Sequence, residues 1–316
     1  MKLTPEYIEA CFLGLAIGDA LGVPVEFQSR DLLAKHPVTS MREFGTHGQP
    51  AGTWSDDSSL TFCLAETLVK GYDLQDLANR FVNWRYHAYW TAHGRVFDIG
   101  NSTNTAIYYL SQGAPPTTAG EKDEDCNGNG SLMRILPLLF YIKDMDMHDR
   151  YQHVRDVSSL THGHIRSIAC CFIYLEVAQN ILKGEQPVDA YLNAITAINK
   201  YCKAQNLLDE KEQSILAPTL SGALIDKPIS EIHGTGYVVR TLEAAIWILI
   251  HTRTYTEAML TAVNLGNDTD TTAAVTGGLA GMHYGWEEIP AEWLNILAGK
   301  ERIEKLITNL QVKFNI

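Results

Sequence analysis

Apolar residues recur along this chain with the period of an α-helix. Several segments place them at positions i, i+3, i+4 and i+7, which lie on one helix face. The clearest stripes are Ile8, Cys11, Phe12 and Leu15; Leu74, Leu77, Ala78, Phe81 and Trp84; Ile168, Cys171, Phe172, Leu175 and Leu182; and Val188, Tyr191, Leu192, Ile195 and Ile198. Strict alternation of apolar and polar residues, typical of half-exposed strands, is hard to find. We therefore predict a nearly all-α protein without a central sheet.

Residues that favour helix starts support this pattern. Thr4 before Pro5, and Asp73, are suited to cap helices. Thr254 and Glu257 have capping-box spacing at the front of a segment that ends near Val263. These signals predict where the helices begin.

One long polar stretch, 113–130, interrupts the helical pattern. It is rich in Gly, Pro, Thr and acidic residues, and on composition alone it could link two domains. Helical stripes of similar character flank it, and its end is dense in residues that tolerate positive φ. We expect a loop folded onto a site, within a compact single domain over residues 1–316.

Composition and charge exclude several classes of protein. The 316 residues are 46% hydrophobic and 20% charged, which argues against long disorder or a coiled coil. The 25 basic and 37 acidic residues leave a net charge of −12, so a nucleic-acid partner is not expected. The apolar runs Ile135–Ile142 and Ala244–Ile250 are core-sized, and we expect no membrane span. The six cysteines form no Cys-x-x-Cys pair and mostly lie on apolar stripes, which favours a reducing cytoplasm.

Two acidic clusters each begin an apolar helix: Ser55-Asp56-Asp57-Ser58 and Asp268-Thr269-Asp270-Thr271-Thr272. Plain capping of the helices explains one acid in each cluster. Adjacent carboxylates repel unless a cation or a proton lies between them. Together the clusters offer oxygen ligands without Cys or His, a set suited to Mg²⁺ or Mn²⁺. If the clusters meet, they could hold two ions roughly 3.5 to 4 Å apart.

Other polar residues occupy turns between apolar segments. Glu26 follows a Gly- and Pro-containing exit from the first helix, and Asp98 lies in Phe97-Asp98-Ile99-Gly100. The segment Asn129-Gly130-Ser131-Leu132-Met133-Arg134 reads as a turn into a helix whose free N–H groups can receive phosphate. His162 precedes a helical stripe and is by itself more typical of a capping or core histidine. Each has an ordinary structural interpretation when taken alone.

In order along the chain, these motifs resemble those of the ADP-ribosylglycohydrolase family. The resemblance runs from about Ile8 to about Trp286. It rests on Gly14-Leu15-Ala16-Ile17-Gly18-Asp19-Ala20-Leu21-Gly22 leading to Glu26-Phe27, on Trp54-Ser55-Asp56-Asp57-Ser58, on Phe97-Asp98-Ile99-Gly100, on Asn129-Gly130-Ser131-Leu132-Met133-Arg134, on Thr161-His162, and on Asn267-Asp268-Thr269-Asp270-Thr271-Thr272.

The resemblance implies a compact all-helical enzyme with two Mg²⁺ or Mn²⁺ ions. It places Glu26 on a flap over the metals and makes it the candidate for proton transfer, with Asp270 a candidate bridge between the ions. The implied metal ligands are Ser55, Asp56, Asp57, Asp268, Asp270 and Thr271. The implied substrate-binding residues are Gly100, Asn129, Gly130, Ser131, Met133, His162 and Tyr237, with Tyr237 stacking on adenine.

Asp98 directs the expected substrate choice. In family members that act on ADP-ribosyl-arginine, an aspartate in the matching turn faces the guanidinium. The resemblance therefore implies hydrolysis of the N-glycosidic bond between ADP-ribose and a protein arginine. We also expect a monomer, and the cysteine pattern favours the cytoplasm.

Two departures and two alternatives accompany this hypothesis. Serines flank the first acid pair where the family usually has threonines, and Asn267 replaces a usual glycine, which Asn can do if φ is positive there. Asp268-x-Asp270-x-Thr272 also matches a Mg²⁺-dependent phosphatase signature, but that signature needs a hydrophobic strand before it. A protein that binds ADP-ribose or neutralises a toxin without catalysis is the other alternative.

Overall fold

The computed structural model describes residues 4–315, and helices account for most of them. Fifteen α-helices lie in this described range, with short 3₁₀ turns between several of them. They are α1 Pro5–Gly22, α2 Arg30–Lys35, α3 Asp56–Lys70, α4 Leu74–His87, α5 Asn101–Ser111, α6 Leu138–Ile142, α7 Met147–Ser158, α8 Ile165–Leu182, α9 Pro187–Gln205, α10 Glu210–Leu220, α11 Val238–His251, α12 Tyr255–Val263, α13 Thr269–Tyr284, α14 Ala291–Ile296 and α15 Lys300–Phe314. The described residues contain isolated β-bridges but no strand, so the all-α prediction is confirmed.

Helices α1 and α13 form the centre of the core, and glycines let their backbones touch. A Cβ added to Gly18 would lie 2.1 Å from the carbonyl oxygen of Ala273. One added to Gly22 would lie 2.3 Å from the backbone of Asp270. Glycine is therefore required at both positions, and it brings the end of α1 against the start of α13.

The predicted helix starts are largely confirmed. Asp73 accepts hydrogen bonds from the N–H groups of Gln75 and Asp76, and Thr254 accepts one from Glu257. Thr4 occupies the capping position of α1, but its side chain makes no capping hydrogen bond. That prediction was wrong in detail, because Pro5 at the first helical position already removes one N–H that would need a partner.

In the described part of the chain, two helical segments are long and apolar enough to cross a membrane, contrary to the expectation from apolar runs. They are the segments Pro5–Val25 and Ile165–Leu182. Within the windows tested, 94% and 83% of the residues are buried inside the protein. Both therefore pack as core helices. Their mean hydropathy is high, but polar and small residues interrupt the apolar runs, so neither contains a continuous apolar stretch of spanning length.

The polar stretch 113–130 folds back onto the body of the protein. Gly120 donates a backbone hydrogen bond of 2.9 Å to Ser159, and Asn129 donates one of 3.0 Å to Gly236. Isolated bridges pair Glu121 with His162 and Gly128 with Tyr237. The segment is thus held as a wall between α7 and the start of α11.

The segment after this wall differs from the prediction. Residues 131–136 form turns, and the next α-helix begins only at Leu138. The expected helix start at 129–134 is therefore wrong. A single helical turn does close there, since Met133 donates to the carbonyl of Asn129 over 3.0 Å.

Candidate active site

A pocket of about 390 Å³ opens where α3, α5 and α13 begin. Most of the residues expected to form a site line it, although they come from distant parts of the chain. Its lining is Glu26, Phe27, Asp56, Asp98, Ile99, Gly100, Asn101, Ser102, Thr103, Asp125, Gly128, Asn129, Gly130, Met133, His162, Gly236, Asp268 and Thr271. The remaining expected residues, Ser55, Asp57, Asp270, Ser131 and Tyr237, lie behind or beside this surface.

The two acidic clusters meet at the inner end of the pocket. Ser55 is the N-cap of α3 and Asp268 is the N-cap of α13. Asp57 Oδ2 accepts hydrogen bonds from Ser55 Oγ at 3.0 Å and from Thr271 Oγ1 at 3.3 Å. Since Asp57 and Thr271 are 214 positions apart in sequence, folding alone creates this contact.

Several carboxylate oxygens at this junction have no partner. Among the residues that the structure describes, no donor reaches Asp57 Oδ1, Asp268 Oδ1 or Asp270 Oδ2, although all three atoms are shielded from solvent. An unpartnered buried carboxylate oxygen is costly in a protein interior. The all-oxygen set therefore fits a hard divalent cation, which would supply the missing interaction.

The electrostatics of the junction agree with that fit. Burial raises the pKa of Asp56, Asp57 and Asp270 well above the usual value, and neighbouring carboxylates raise it further. Burial likewise raises the pKa of Asp268, while the hydrogen bond from Asn129 opposes the shift. Without a cation the cluster favours bound protons, because the negative charges are close together and poorly solvated.

Asp19 is a member of this cluster to which the sequence interpretation gave no role. It is fully buried on α1, and its carboxylate accepts hydrogen bonds from the N–H groups of Ser55 and Ser58 and from Ser58 Oγ. One oxygen each of Asp19, Asp57 and Asp270 lie within 4.8 Å of one another. A signal existed in the sequence, since an acid within an otherwise apolar helix face needs a buried partner.

Glu26 and Asp98 line the pocket beside the acidic cluster, and single ligand atoms of Glu26, Asp268 and Asp270 lie within 4.8 Å of one another. Glu26 is 4% exposed, and its Oε2 contacts Nε2 of His47, a residue that the sequence interpretation missed. Single ligand atoms of Glu26, His47 and Asp98 lie within 4.8 Å of one another. Burial, followed by the charges of Asp98 and Asp268, raises the pKa of Glu26 to about 10.

The backbone at Asp98 is strained in a way that points to function. Its φ is 52°, a left-handed conformation that side-chain-bearing residues seldom adopt. The following residues, Ile99 and Gly100, continue the pocket wall into the start of α5. The turn thus holds the Asp98 side chain beside the pocket.

The opposite wall comes from the loop that ends at Met133. Asn129 Nδ2 donates to Asp268 Oδ2 and to Thr241 Oγ1, both at 2.9 Å, so this wall is tied to the acidic cluster. A Cβ on Gly130 would lie 2.7 Å from Thr103 Oγ1 and 2.8 Å from the His162 ring. Only glycine therefore fits between α5 and His162.

Ser131, His162 and Tyr237 occupy three different positions relative to the pocket. The hydroxyl of Ser131 lies in the core, where it is 3.0 Å from Ser158 Oγ and contacts the sulfur of Cys171. The ring of His162 is 2% exposed and lines the pocket. Tyr237 is half-buried beside it, with the Arg166 guanidinium 5.9 Å from its ring centre.

Comparison with known proteins connects this geometry to a family. The family model for ADP-ribosylglycohydrolases matches residues 4–315. The chain belongs to the ADP-ribosylglycohydrolase family. It is an ADP-ribosyl hydrolase, as the resemblance implied.

Similar proteins cover nearly all of this ADP-ribosylglycohydrolase. ADP-ribosylarginine hydrolase Tri1 of Pseudomonas putida is 33% identical over 98% of this chain and 80% of its own length. The Tri1 protein of Serratia proteamaculans is 32% identical, covering 96% and 78%. ADP-ribosyl-[dinitrogen reductase] glycohydrolase of Rhodospirillum rubrum is 28% identical, covering 90% and 88%. A solved structure described as an ADP-ribosylglycohydrolase-related protein complex superimposes with a TM-score of 0.81 at 31% identity, covering 99% of this chain and all of its own.

The local departures from the family pattern have clear structural settings. Asn267 has a φ of 63°, so the residue in the usual glycine position does adopt the left-handed conformation. Ser55 Oγ, where the family usually has a threonine, donates a hydrogen bond of 3.0 Å to Asp57 Oδ2. The phosphatase alternative fails, because α12 and a turn, not a strand, precede Asp268.

Proposed function

We propose that this ADP-ribosyl hydrolase cleaves the N-glycosidic bond between ADP-ribose and an arginine side chain of a modified protein. The observation that carries the proposal is the Asp98 carboxylate, held by a left-handed turn in the same pocket as Glu26 and the acidic cluster. A carboxylate suits the planar, permanently charged guanidinium. The Tri1 relatives, named as ADP-ribosylarginine hydrolases, support the same choice.

We propose that the acidic cluster holds two divalent cations, Mg²⁺ or Mn²⁺. The ligands would be the hydroxyls of Ser55 and Thr271 and the carboxylates of Asp56, Asp57, Asp268 and Asp270. Cations bound there would supply Lewis acidity to the ribose hydroxyls and to the attacking water. The unpartnered oxygens of Asp57, Asp268 and Asp270 support this assignment.

Glu26 is the residue that moves a proton in this proposal. Its side chain lies at the pocket, and its other neighbours are carboxylates that favour its protonated form. His47 contacts Oε2 and limits the rotation of the carboxyl group. Cations held by the acidic cluster would offset these negative charges and allow Glu26 to ionise. The ionised Glu26 would then orient the water against the anomeric carbon, where positive charge develops as the bond breaks, and take up its proton.

Asp98 acts on the other side of the bond. It would hold the guanidinium as the arginine departs, so the leaving group stays aligned with the anomeric carbon. Asn129, Gly130, Met133 and His162 would contact the ribose and diphosphate, Gly100 would border the same path, and Tyr237 would stack on the adenine. Ser131 would contribute through its backbone only, because its hydroxyl is bonded in the core.

Replacing Asp98 tests the substrate assignment. Asp98→Asn should lower kcat/KM for ADP-ribosyl-arginine about a hundredfold, since one charge-assisted contact to the guanidinium is lost. Binding of free ADP-ribose, measured by calorimetry, should change little. If Asp98→Asn cleaves the arginine linkage as fast as the wild type, the arginine assignment is wrong.

The same assay separates hydrolysis from binding alone. Release of ADP-ribose in the presence of Mg²⁺ or Mn²⁺, abolished by a chelator, supports the enzyme. Metal-dependent binding without release would favour the ADP-ribose-binding or toxin-neutralising alternative. We further propose a cytoplasmic monomer that binds no nucleic acid, which sedimentation and cell fractionation can check.

A further inference from the structure

Arg134 is a fully buried cation without an acidic partner. It is 0% exposed, and its guanidinium carbon lies 4.7 Å from the centre of the Phe81 ring. Within residues 4–315, its Nε and Nη1 atoms find no hydrogen-bond acceptor. Only Nη2 is bonded, to the carbonyl of Val157 at 3.2 Å and to Thr161 Oγ1 at 2.8 Å. Burying a cation without a charged partner costs free energy of folding, so we expect the two hydrogen bonds of Nη2 to have a role.

The bond from Arg134 to Thr161 determines where the threonine proton goes. A guanidinium only donates, so Thr161 Oγ1 must be the acceptor in that bond. The same oxygen lies 2.9 Å from His162 Nδ1, and it has no other acceptor within the described part of the chain. Nδ1 is thus the one described acceptor within reach of the Thr161 hydroxyl proton, and the arrangement that gives this proton a partner has an unprotonated Nδ1.

The other ring nitrogen of His162 faces the pocket. A Cβ on Gly128 would lie 3.4 Å from Nε2, and one on Gly130 would lie 3.5 Å from it. Both glycines line the pocket. Burial and the charge of Arg134 lower the pKa of His162 to about 3, so the ring is neutral at physiological pH. A neutral ring with Nδ1 as acceptor carries its one proton on Nε2.

We infer that Arg134 and Thr161 are positioning residues, which hold His162 in the Nε2–H tautomer so that it donates a hydrogen bond into the pocket. The recipient is an oxygen of the ADP-ribose moiety, and this part of the inference rests on the proposed function. Arg134 itself touches no substrate, because its guanidinium is sealed from solvent behind Phe81 and Thr161.

This role explains why the protein contains a fully buried arginine at position 134. Without the donor from Arg134, the Thr161 hydroxyl could equally accept a proton from Nδ1, and the ring would then present an acceptor to the substrate. Two acceptors facing each other repel, whereas a donor matches the phosphate and hydroxyl oxygens of ADP-ribose. Ser158 Oγ also holds the backbone carbonyl of His162 at 2.9 Å, so the residue cannot turn away.

Nitrogen-15 NMR of histidine-labelled protein in Mg²⁺ buffer tests this directly. The wild type should show His162, assigned from the spectrum of His162→Gln, as a neutral Nε2–H ring between pH 6 and 8. Thr161→Val removes the hydroxyl, so its His162 should show a mixed population of tautomers. ADP-ribose binding should weaken about tenfold, since one hydrogen bond donor is no longer oriented.

Two further variants separate positioning from structural support. Thr161→Ser keeps the hydroxyl and should restore the Nε2–H tautomer and wild-type binding. Arg134→Met removes the donor but leaves the threonine, so the tautomers should mix while the circular dichroism spectrum stays native. A wild-type ring protonated at Nδ1, or an unchanged tautomer in both Thr161→Val and Arg134→Met, would overturn the inference.

These outcomes are independent of the proposed reaction. The tautomer is measured without substrate, so it stands even if arginine-linked ADP-ribose is not cleaved. Conversely, a wild type that cleaves the arginine linkage but shows Nδ1–H would remove the inference and leave the proposed function in place.

Discussion

Within residues 4–315, the buried carboxylates around α8 and those at the pocket have opposite surroundings. Around α8, each is paired with an arginine: Glu212 accepts bonds of 2.9 and 2.6 Å from Arg166, and Glu176 accepts bonds of 2.6 and 2.7 Å from Arg150. At the pocket, Asp57 and Asp270 are fully buried, and the charges that dominate their surroundings belong to other carboxylates.

The presence or absence of a cationic partner distinguishes acids that stabilise the fold from acids that could bind a ligand. A bidentate guanidinium satisfies both oxygens of a buried carboxylate and neutralises its charge. The pocket acids have hydroxyl and amide donors on some oxygens, but those donors carry no full charge. The charges of the paired region are therefore balanced within the protein, whereas those of the pocket acids are not, and the proposed cations would balance them.

The largest expected effect comes from neutralising one pocket acid. Asp270→Asn should lower kcat by about a thousandfold or more, because an anionic ligand at the centre of the cluster is lost. The metal-free variant should be more stable than the metal-free wild type at pH 7. The carboxyl pKa is raised in the folded state, so ionising it costs stability as the pH rises above its unfolded value, and Asn removes that cost.

Activity assays and chemical denaturation in chelator measure the two effects. If Asp270→Asn keeps full activity, or if it is less stable than the wild type in the absence of metal, the contrast between the two regions is wrong.

Neutralising an acid of the paired region should lower the stability of the protein, the opposite of the effect expected for Asp270→Asn without metal. Glu212→Gln leaves the buried Arg166 with only the exposed Glu124 as a charged partner, 3.2 Å away, so unfolding should become easier by about 3 kcal/mol. Urea denaturation measures this. The matched control is Glu304→Gln in the exposed pair with Lys300, for which about 0.3 kcal/mol is expected. Equal effects of the two substitutions would contradict the prediction.

Adding metal should stabilise only the pocket region. At a Mg²⁺ or Mn²⁺ concentration a hundred times the dissociation constant, the free energy of unfolding should rise by about 2.7 kcal/mol. The gain should largely disappear in Asp270→Asn and persist in Glu212→Gln. Thermal unfolding with and without chelator provides the measurement, and an equal gain in all three proteins would point to cation binding elsewhere.

Much of the helical architecture could be predicted from local pattern. The stripes that end in Trp84 and Ile198 both lie on helices, although Leu192 of the second stripe is exposed. Asp73 and Thr254 cap where their spacing predicted. The turn at 129–134 was misread because a glycine-bearing polar segment before an apolar run looks the same whether or not a helix follows at once. Local sequence does not report the packing that delays α6 to Leu138.

The site was predictable where the chemistry lies in short motifs and unpredictable where it depends on distant neighbours. The acids of both clusters stand out in the sequence because they exceed what capping requires. Asp19 stands out only as an acid in an apolar helix, and neither Asp19 nor His47 shows in the sequence which distant segment supplies its partner. The role of Arg134 could likewise not be predicted from the sequence, because it depends on the contact with Thr161.

The amino-acid sequence alone determined the helical period, the capping residues and the oxygen-rich character of the two acidic motifs, because each depends on neighbours within one or two turns. Only the tertiary structure decided that Asp57 contacts Thr271 and that Asp19 accepts hydrogen bonds from the start of α3. It also decided that the buried Arg134 contacts His162 through the Thr161 hydroxyl. Those contacts follow from the glycine-mediated approach of α1 and α13 and from the folded loop 113–130, which bring together residues that no local pattern connects.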